Sequence, residues 1–542
     1  MADELKHECA VAMVVLRKPP TAEGGDFGGT KLSLLMEKQH NRGQDGAGAA
    51  ILAADPEPGE TPYWIEKSAS STPLADLLGA IGKRTPAKNE RIFIGHLRYA
   101  TFGKNDVAFC HPFVHEASEL EHTLLLAGNF NLTNAPELFN EYRQHGSFPV
   151  SKADGYLITE LVAHELAGGK SLGDALSTAL ANADGAWTLC GATGDGWAFA
   201  TRDPHGIRPG WCYVSEDVVA VASERPAIQA AFDVPPEDVK ELPPGKAIVI
   251  SPDGEVQLSE LSPGIKATPR PCVFERIYFS RANDADIHHE RKALGAALVP
   301  QILKAAEAPL ENIFFSYIPN SARIAFHGLL ERLFDEHGKI RFGEVAVKDA
   351  KFRTFIADAA ARREFYKHVY DVTYGLVRPG KDTLVVLDDS IVRGNTMKNA
   401  ILPMLDRLGP KRIVVASSAP PIRYPDCYGI DMSTLGELVA FRALVNLLGE
   451  NAEAELRGNS LSDLYARFTE EQHCGEIARL LTPPGMRAEV KVVYQTIDAL
   501  HAACPGSSGD WYFTGNYPTP GGDKVLHKAL ANYLGHKNER SY

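Results

Sequence analysis

Residues Leu384 to Thr396 read LVVLDDSIVRGNT, and few stretches of the chain leave less freedom for alternative folds. The apolar run fits a fully buried strand of a parallel sheet, expected to end at Leu387. The loop that follows delivers Ser390, Gly394 and Thr396 to a helix start, where amide N–H groups and the positive dipole end favour an anion. Met397, Ala400, Ile401, Met404, Leu405 and Leu408 share one face of that helix, Pro403 kinks it, and Gly409-Pro410 ends it. Arg412 to Ala416 (RIVVA) predicts the next strand, which completes a βαβ unit. Asp388 and Asp389 then stand at the carboxyl end of the strand, where open parallel sheets hold ligands. Vicinal ribose hydroxyls need two such acceptors, so the segment points to a sugar-phosphate site. The GxxxxGK[ST] string of a P-loop is absent here.

A chain of 542 residues is too long for one core and predicts two large domains or three to four smaller ones. Its net charge of -13 argues against a nucleic-acid surface. No apolar stretch reaches a membrane span, and MADELKHE lacks the regions of a signal peptide, so a cytoplasmic protein is expected. The eight cysteines, Cys9, Cys110, Cys190, Cys212, Cys272, Cys427, Cys474 and Cys504, form no CxxC pair, which gives no sign of a zinc ribbon or a disulfide framework. In a reducing compartment most are small buried hydrophobes.

Cys9 follows a charged octapeptide, Met1 to Glu8, and heads a predicted strand, Ala10 to Leu16 (AVAMVVL). Downstream come QHNRGQDGAG (Gln39 to Gly48), IGHLRYATFG (Ile94 to Gly103), AGNFNLTN (Ala127 to Asn134), DGAWTL (Asp184 to Leu189) and RDPHGIRP (Arg202 to Pro209). Together these resemble class II glutamine amidotransferase domains, whose nucleophilic cysteine becomes the first residue of the mature chain. With the DDS loop, and with VFERIYFSRAN (Val273 to Asn283) and SSAPPIRYPDCYGIDM (Ser417 to Met432), the resemblance narrows to the amidophosphoribosyltransferase family and covers nearly the whole chain.

That resemblance implies an N-terminal nucleophile hydrolase sandwich (αββα, α+β) followed by a type I phosphoribosyltransferase domain (α/β, parallel sheet). The implied limits are a propeptide at 1–8, a glutamine amidotransferase domain at 9–262, a phosphoribosyltransferase domain at 272–500 and a C-terminal tail at 501–542, with the boundary near Leu261 to Pro271 (LSPGIKATPRP). The tail is expected to hold one short helix, Lys524 to Leu534.

Amide hydrolysis needs a nucleophile and a base, and an amino-terminal cysteine supplies both, because its α-amine has a pKa near 8. By resemblance, Cys9 is exposed by self-cleavage, and the Asn129 side chain with the Phe130 backbone N–H stabilises the oxyanion, Phe130 standing where the family has glycine. Arg98 would hold the α-carboxylate of glutamine and Asp154 its ammonium, with Arg42 and Gly43 in the same pocket. His40 and His96 are read as structural.

In the second half, Ile313 to Leu333 is an apolar strand running through Pro319-Asn320-Ser321 into a helix, and it resembles a pyrophosphate loop. Asn320 stands where the family has aspartate. Val347 to Ile356 resembles the catalytic loop, with Lys348, Lys351 and Arg353 placed to neutralise pyrophosphate. Ser390, Arg393, Gly394, Asn395 and Thr396 would surround the 5-phosphate of phosphoribosyl pyrophosphate, and Asp388 and Asp389 its hydroxyls. Mg²⁺ is implied on the diphosphate, near Asp388, Asp389 and Ser321.

Some members of the family carry an iron–sulfur cluster on four cysteines. Here Cys272 matches, Cys427 is displaced by one residue, and the closing CxxCFTG reads GDWYFTG, so no cluster is expected. The implied reaction is glutamine-dependent conversion of phosphoribosyl pyrophosphate to 5-phosphoribosylamine, the opening step of purine synthesis, with ammonia passed between two sites. Purine nucleotides as feedback inhibitors and a homo-oligomer, dimer or tetramer, follow from the resemblance alone. The changes at Phe130 and Asn320 keep open an alternative, a catalytically silent phosphoribosyl-pyrophosphate-binding regulator.

Overall fold

The computed structural model describes residues 8–18, 26–53, 61–87, 89–100, 106–144, 146, 148–261, 267–348, 370–430, 432–537, 539 and 541. The segment AVAMVVL forms β1 (Ala10–Leu16), which is buried along its whole length. It lies inside an antiparallel sheet with β2 (Gly46–Ala53), β3 (Tyr63–Ser68), β4 (Glu90–Arg98), β9 (Trp211–Val214), β10 (Val218–Ala222) and β11 (Val239–Glu241), in the order β11-β9-β10-β1-β4-β2-β3. A second antiparallel sheet contains β5 (Phe113–His115), β6 (Leu124–Leu132), β7 (Gly185–Thr193), β8 (Ala198–Arg202), β12 (Lys246–Ile250) and β13 (Val256–Glu260), ordered β13-β12-β8-β7-β6-β5.

The two sheets pack face to face, and this explains why β1 shows no polar alternation. Val11, Met13 and Val15 meet Leu125, Ala127 and Cys190 of the other sheet. Ala10, Ala12, Val14 and Leu16 pack instead under α1 (Phe27–Lys38), α2 (Pro73–Lys83) and α6 (Arg225–Phe232). The outer face of the second sheet is covered by α3 (Ala135–Gln144), α4 (Asp154–Ala167) and α5 (Leu172–Ala179). Four layers result, helix, sheet, sheet, helix, and each buried Val or Leu contributes about 1.5–3 kcal/mol.

Beyond residue 267 the architecture changes to a parallel sheet of β14 (Ile313–Tyr317), β17 (Thr383–Asp388), β18 (Arg412–Ser417) and β19 (Glu489–Tyr494), in that order, with β15 (Ala346–Lys348) and β16 (Tyr370–Val372) forming a separate antiparallel pair. Along β17 the side chains divide between the two faces: Leu384 and Val386 join one core, Val385 and Leu387 the other. Strands β17 and β18 pair in parallel, as a βαβ unit requires.

Two local expectations need correction. Strand β17 runs one residue past Leu387, so Asp388 pairs with Ser417 as its last member. The helix after the loop is not α-helical throughout: Met397–Ile401 makes a π-helical turn, and a short α-helix, Leu402–Asp406, follows. Pro403 has no N–H to donate backwards, and the wider turn before it absorbs that missing bond.

The C-terminal helix also begins earlier than Lys524, at Pro520, where proline is tolerated in a first turn. Its start is held by Asp184 of the sandwich, which accepts from Gly521 N at 2.9 Å and Thr519 Oγ1 at 2.6 Å. Trp511, Tyr512, Phe513 and Tyr517 are buried in one core with Phe274 and Tyr428, and Val525 and Ala529 of the helix join it, so this segment packs into the body of the protein. Among the described residues, no helix is long and apolar enough to cross a membrane.

Candidate active sites

Cys9 stands immediately before β1, where the end of β4 comes alongside. The Tyr99 N–H donates to Cys9 Sγ at 3.2 Å, and Sγ lies 3.7 Å from Tyr99 O. Burial pushes the thiol up to about 11, opposed by the Tyr99 N–H and the Arg98 charge, while Asp154 and Asp45 raise it further. The thiol is therefore neutral at physiological pH while its nitrogen is still in the Glu8–Cys9 peptide bond.

Arg98 is the last residue of β4, buried, with its guanidinium 5.8 Å from the Phe109 ring. Asp154 is the first residue of α4 and not its cap, and burial raises its carboxyl to about 6 against three main-chain N–H contacts. Arg98 and Asp154 therefore bring opposite charges to the surroundings of Cys9. Asn129 is buried on β6, with Nδ2 3.4 Å from a Glu8 carboxylate oxygen. Phe130 lies opposite Trp187, whose own main-chain bonds go to Asp203 on the far side. The Phe130 N–H therefore points away from β7, and the phenylalanine side chain leaves it in place.

Gly43 N donates to Glu8 O at 2.9 Å. Its φ of +50° and the backbone carbon of Leu97, 2.2 Å from where a Cβ would lie, require glycine there. Arg42 sits in a cluster of carboxylates. Its guanidinium is fully buried and bonds Glu224 at 2.6 Å, Glu275 at 2.6 Å and Ser280 at 3.1 Å, with Glu8 at 3.6 Å. Glu275 and Ser280 belong to the segment after the sandwich, so Arg42 ties the two halves together. Arg208 does the same: it pairs with Glu8 and bonds Tyr428 O through Nε at 2.8 Å.

At the parallel sheet, Asp389 is buried, and its carboxylate accepts from the Ser321 and Ser390 hydroxyls, the latter at 2.7 Å. Burial raises its pKa, opposed by both hydroxyls and by the Arg291 charge. Asp388 Oδ1 accepts from Asp389 N at 3.0 Å. Gly394 has φ +77°, and Thr396 caps the π-helical turn. Arg393 turns to Glu437 at 2.7 Å. Asn395 lies between Gly394 and Thr396 in the same loop. Lys348 ends strand β15 (Ala346–Lys348), whereas Lys351 and Arg353 lie outside the described residues.

The donors around this loop, two carboxylates and the Ser321 hydroxyl, are the hard oxygens that suit Mg²⁺. A buried carboxylate that accepts from two hydroxyls also fits a cation. The surroundings of Cys272 do not suit an iron–sulfur cluster. Tyr512 Oη lies 3.4 Å from Cys272 Sγ, and Trp511 Nε1 bonds Asp426 at 3.2 Å. Among the described residues, no group of potential ligands includes a cysteine.

Several participants escape a reading by motif. Glu8 looks like part of a solvated leader, yet it is buried between two arginines. Arg208 lies in the RDPHGIRP string, and Tyr99 in IGHLRYATFG, but only the fold shows what each one touches. Arg291, whose charge acts on Asp389, belongs to no string that would single it out.

No family model matches the chain. An amidophosphoribosyltransferase of Methanocaldococcus jannaschii is 31% identical over 430 residues, covering 75% of this chain and 83% of that protein. One from Bacillus subtilis is 31% identical over 466 residues, covering 83% and 89%. The solved structure of the B. subtilis glutamine phosphoribosylpyrophosphate amidotransferase complexed with ADP and GMP aligns with TM-score 0.70 at 25% identity, over 94% of this chain and 97% of that one. With the sandwich, the parallel sheet and the order of motifs, these relatives show that the chain belongs to the amidophosphoribosyltransferase family.

Proposed function

We propose that the amidophosphoribosyltransferase reaction is divided here between Cys9, which frees ammonia from glutamine, and the Asp388–Asp389 loop, which holds phosphoribosyl pyrophosphate. The observation that carries this reading is the opposite charge of Arg98 and Asp154 around the Cys9 thiol. An α-carboxylate and an α-ammonium need that pair of groups.

Loss of residues 1–8 would convert the Cys9 nitrogen into a free amine, a base for a thiol that is otherwise neutral. Sγ then attacks the amide carbon of glutamine as the amine takes the thiol proton. The oxyanion faces Asn129 Nδ2 and the Phe130 N–H, and its collapse expels ammonia and leaves a thioester, which water converts to glutamate. Ammonia displaces pyrophosphate at the ribose C1 in the second site, giving 5-phosphoribosylamine.

Asp388 and Asp389 orient the ribose hydroxyls, while Ser390, Arg393, Gly394, Asn395 and Thr396 surround the 5-phosphate, and Lys351 and Arg353 are assigned to neutralise the pyrophosphate. Mg²⁺ held near Asp388, Asp389 and Ser321 would neutralise the leaving diphosphate. The limits 9–262 and 272–500 serve as domain boundaries in this reading. Purine nucleotides act as feedback inhibitors of a cytoplasmic homo-oligomer without an iron–sulfur cluster. The ADP and GMP bound to the B. subtilis enzyme support the first point. Stoichiometric iron and sulfide in the purified protein would contradict the last.

The test replaces Cys9 by Ser and compares glutamine with ammonium as nitrogen source. The expected result is lost glutamine use with surviving ammonium-dependent synthesis. An active wild type that never transfers labelled amide nitrogen to the pentose would refute the coupling of the sites.

A further inference from the structure

Beneath the proposed oxyanion site lies a pair of buried histidines that the reaction as described does not use. His96, on β4, and His111, just before β5, stack with ring centroids 4.1 Å apart and planes 9° from parallel. Both act on the main chain of one residue. His96 Nε2 lies 3.0 Å from Gly128 O, and Gly128 N donates to His111 Nδ1 at 3.2 Å. Gly128 is the residue before Asn129.

The topology explains why these two main-chain groups need side-chain partners. Strand β5 pairs with β6 through Phe113 and Leu126, and continuing the same register would set residue 111 opposite Gly128. The described ladder stops at Phe113, so the Gly128 N–H finds the His111 ring where a strand would have offered a carbonyl. The carbonyl of Gly128 is met from the other sheet of the sandwich, by His96. Because a carbonyl oxygen can only accept, His96 carries its proton on Nε2; because an N–H can only donate, His111 presents a bare Nδ1. Burial pushes His96 down to about 3 and His111 well below its ordinary value, so both rings are neutral. The Phe130 and Phe113 rings pack on His111 with centroids at 5.5 and 4.8 Å.

We propose that His96 and His111 are positioning residues of the glutaminase: they clamp the N–H and the C=O of Gly128, on the two peptides that flank its Cα, and thereby aim Asn129 Nδ2 and the Phe130 N–H. Neither touches the substrate. The inference rests on the reading of Cys9 and Asn129 as the glutaminase site. Oxyanion donors work only when held at their final geometry before the charge develops, and removing one costs about 10²–10³ in rate. A misaimed pair should cost part of that.

Amide side chains provide the test, since the Gln nitrogen occupies the place of His Nε2 and the Asn oxygen that of His Nδ1. His96→Gln and His111→Asn should keep glutamine-dependent synthesis within about 3-fold of wild type. The swapped amides, His96→Asn and His111→Gln, offset the bonding atom at equal polarity and should lower glutamine-dependent kcat about 10- to 100-fold. KM for glutamine should move less than about 3-fold, and ammonium-dependent synthesis should be unchanged. Equal activity of matched and swapped amides overturns the proposal, as does parallel loss of both nitrogen sources in the swapped pair. Failure of the underlying reading is distinguishable: the wild type would then show no glutamine hydrolysis that Cys9→Ser abolishes, and the positioning role would fall with it.

Discussion

Glu8 and Arg208 meet as a buried ion pair across 200 residues of sequence, at the seam where the sandwich touches the segment around Tyr428. Arg208 also lies 3.9 Å from Asp426, so it is the cation that two carboxylates share. Replacing it by alanine leaves those carboxylates in a dry interface, where removing one partner of a buried pair costs about 3–5 kcal/mol. Arg208→Ala in an uncleaved Cys9→Ala chain should therefore lower the denaturant midpoint clearly. A midpoint unchanged from that of Cys9→Ala would show that the seam is held by other contacts.

Asp154 gives a pH dependence whose sign follows from its direction of shift. Burial raises its carboxyl from the ordinary 3.8 to about 6, so its stabilising effect on the fold is complete below pH 3.8 and disappears as pH rises through 6. Function runs the other way, because a substrate ammonium needs the ionised form. For glutamine, kcat/KM should fall about 10-fold per unit below pH 6. Asp154→Asn should lower kcat/KM at neutral pH and abolish that inflection, which a pH profile of both proteins would reveal.

The parts of the molecule legible in sequence are those built from near neighbours. Leu384 to Thr396 carries its strand, carboxylates and helix start in one run, and the structure moves its strand end by a single residue. AVAMVVL reads as a strand because both of its faces are apolar. What the sequence hides is assembled from distant pieces. Glu8 belongs to a charged octapeptide, which by composition should be solvated, and only Arg42 and Arg208 make its burial tolerable. Likewise His111 acquires its partner because the ladder ends at Phe113, next to Pro112, and only the fold shows that Gly128 lies opposite. The π-helical turn was hidden too, since its cause, Pro403, looks like an ordinary kink.

Gly394 should be intolerant of alanine for two separable reasons. Its φ of +77° costs an L-residue about 1–2 kcal/mol, and a Cβ there would lie 2.3 Å from Leu481 Cδ2. The second is a flexible side-chain end, so the loop should shift and the protein should still fold. Gly394→Ala should raise KM for phosphoribosyl pyrophosphate about 10-fold in the ammonium-driven reaction, with glutamine hydrolysis within about 2-fold of wild type. Leu481→Ala in the same chain removes the clash but not the backbone strain, so it should restore part of the loss. Full restoration would mean that the left-handed backbone is unimportant.

Asp389 sets stability against function. Its pKa is raised mainly by burial, so the contribution to stability is present below the ordinary carboxylate pKa and lost as pH rises through the folded value. Burial opposes the ionised form, and the hydroxyls of Ser321 and Ser390 support it. Asparagine fills the same space, and either hydroxyl can rotate to accept from its amide. Asp389→Asn should then unfold at an equal or higher denaturant concentration than wild type, yet lose ammonium-dependent synthesis by on the order of 10²-fold. Glutamine hydrolysis at Cys9 should survive, because the carboxylate serves the ribose site. A variant that is both less stable and fully active would show that Asp389 is a structural group, and that Asp388 alone binds the sugar.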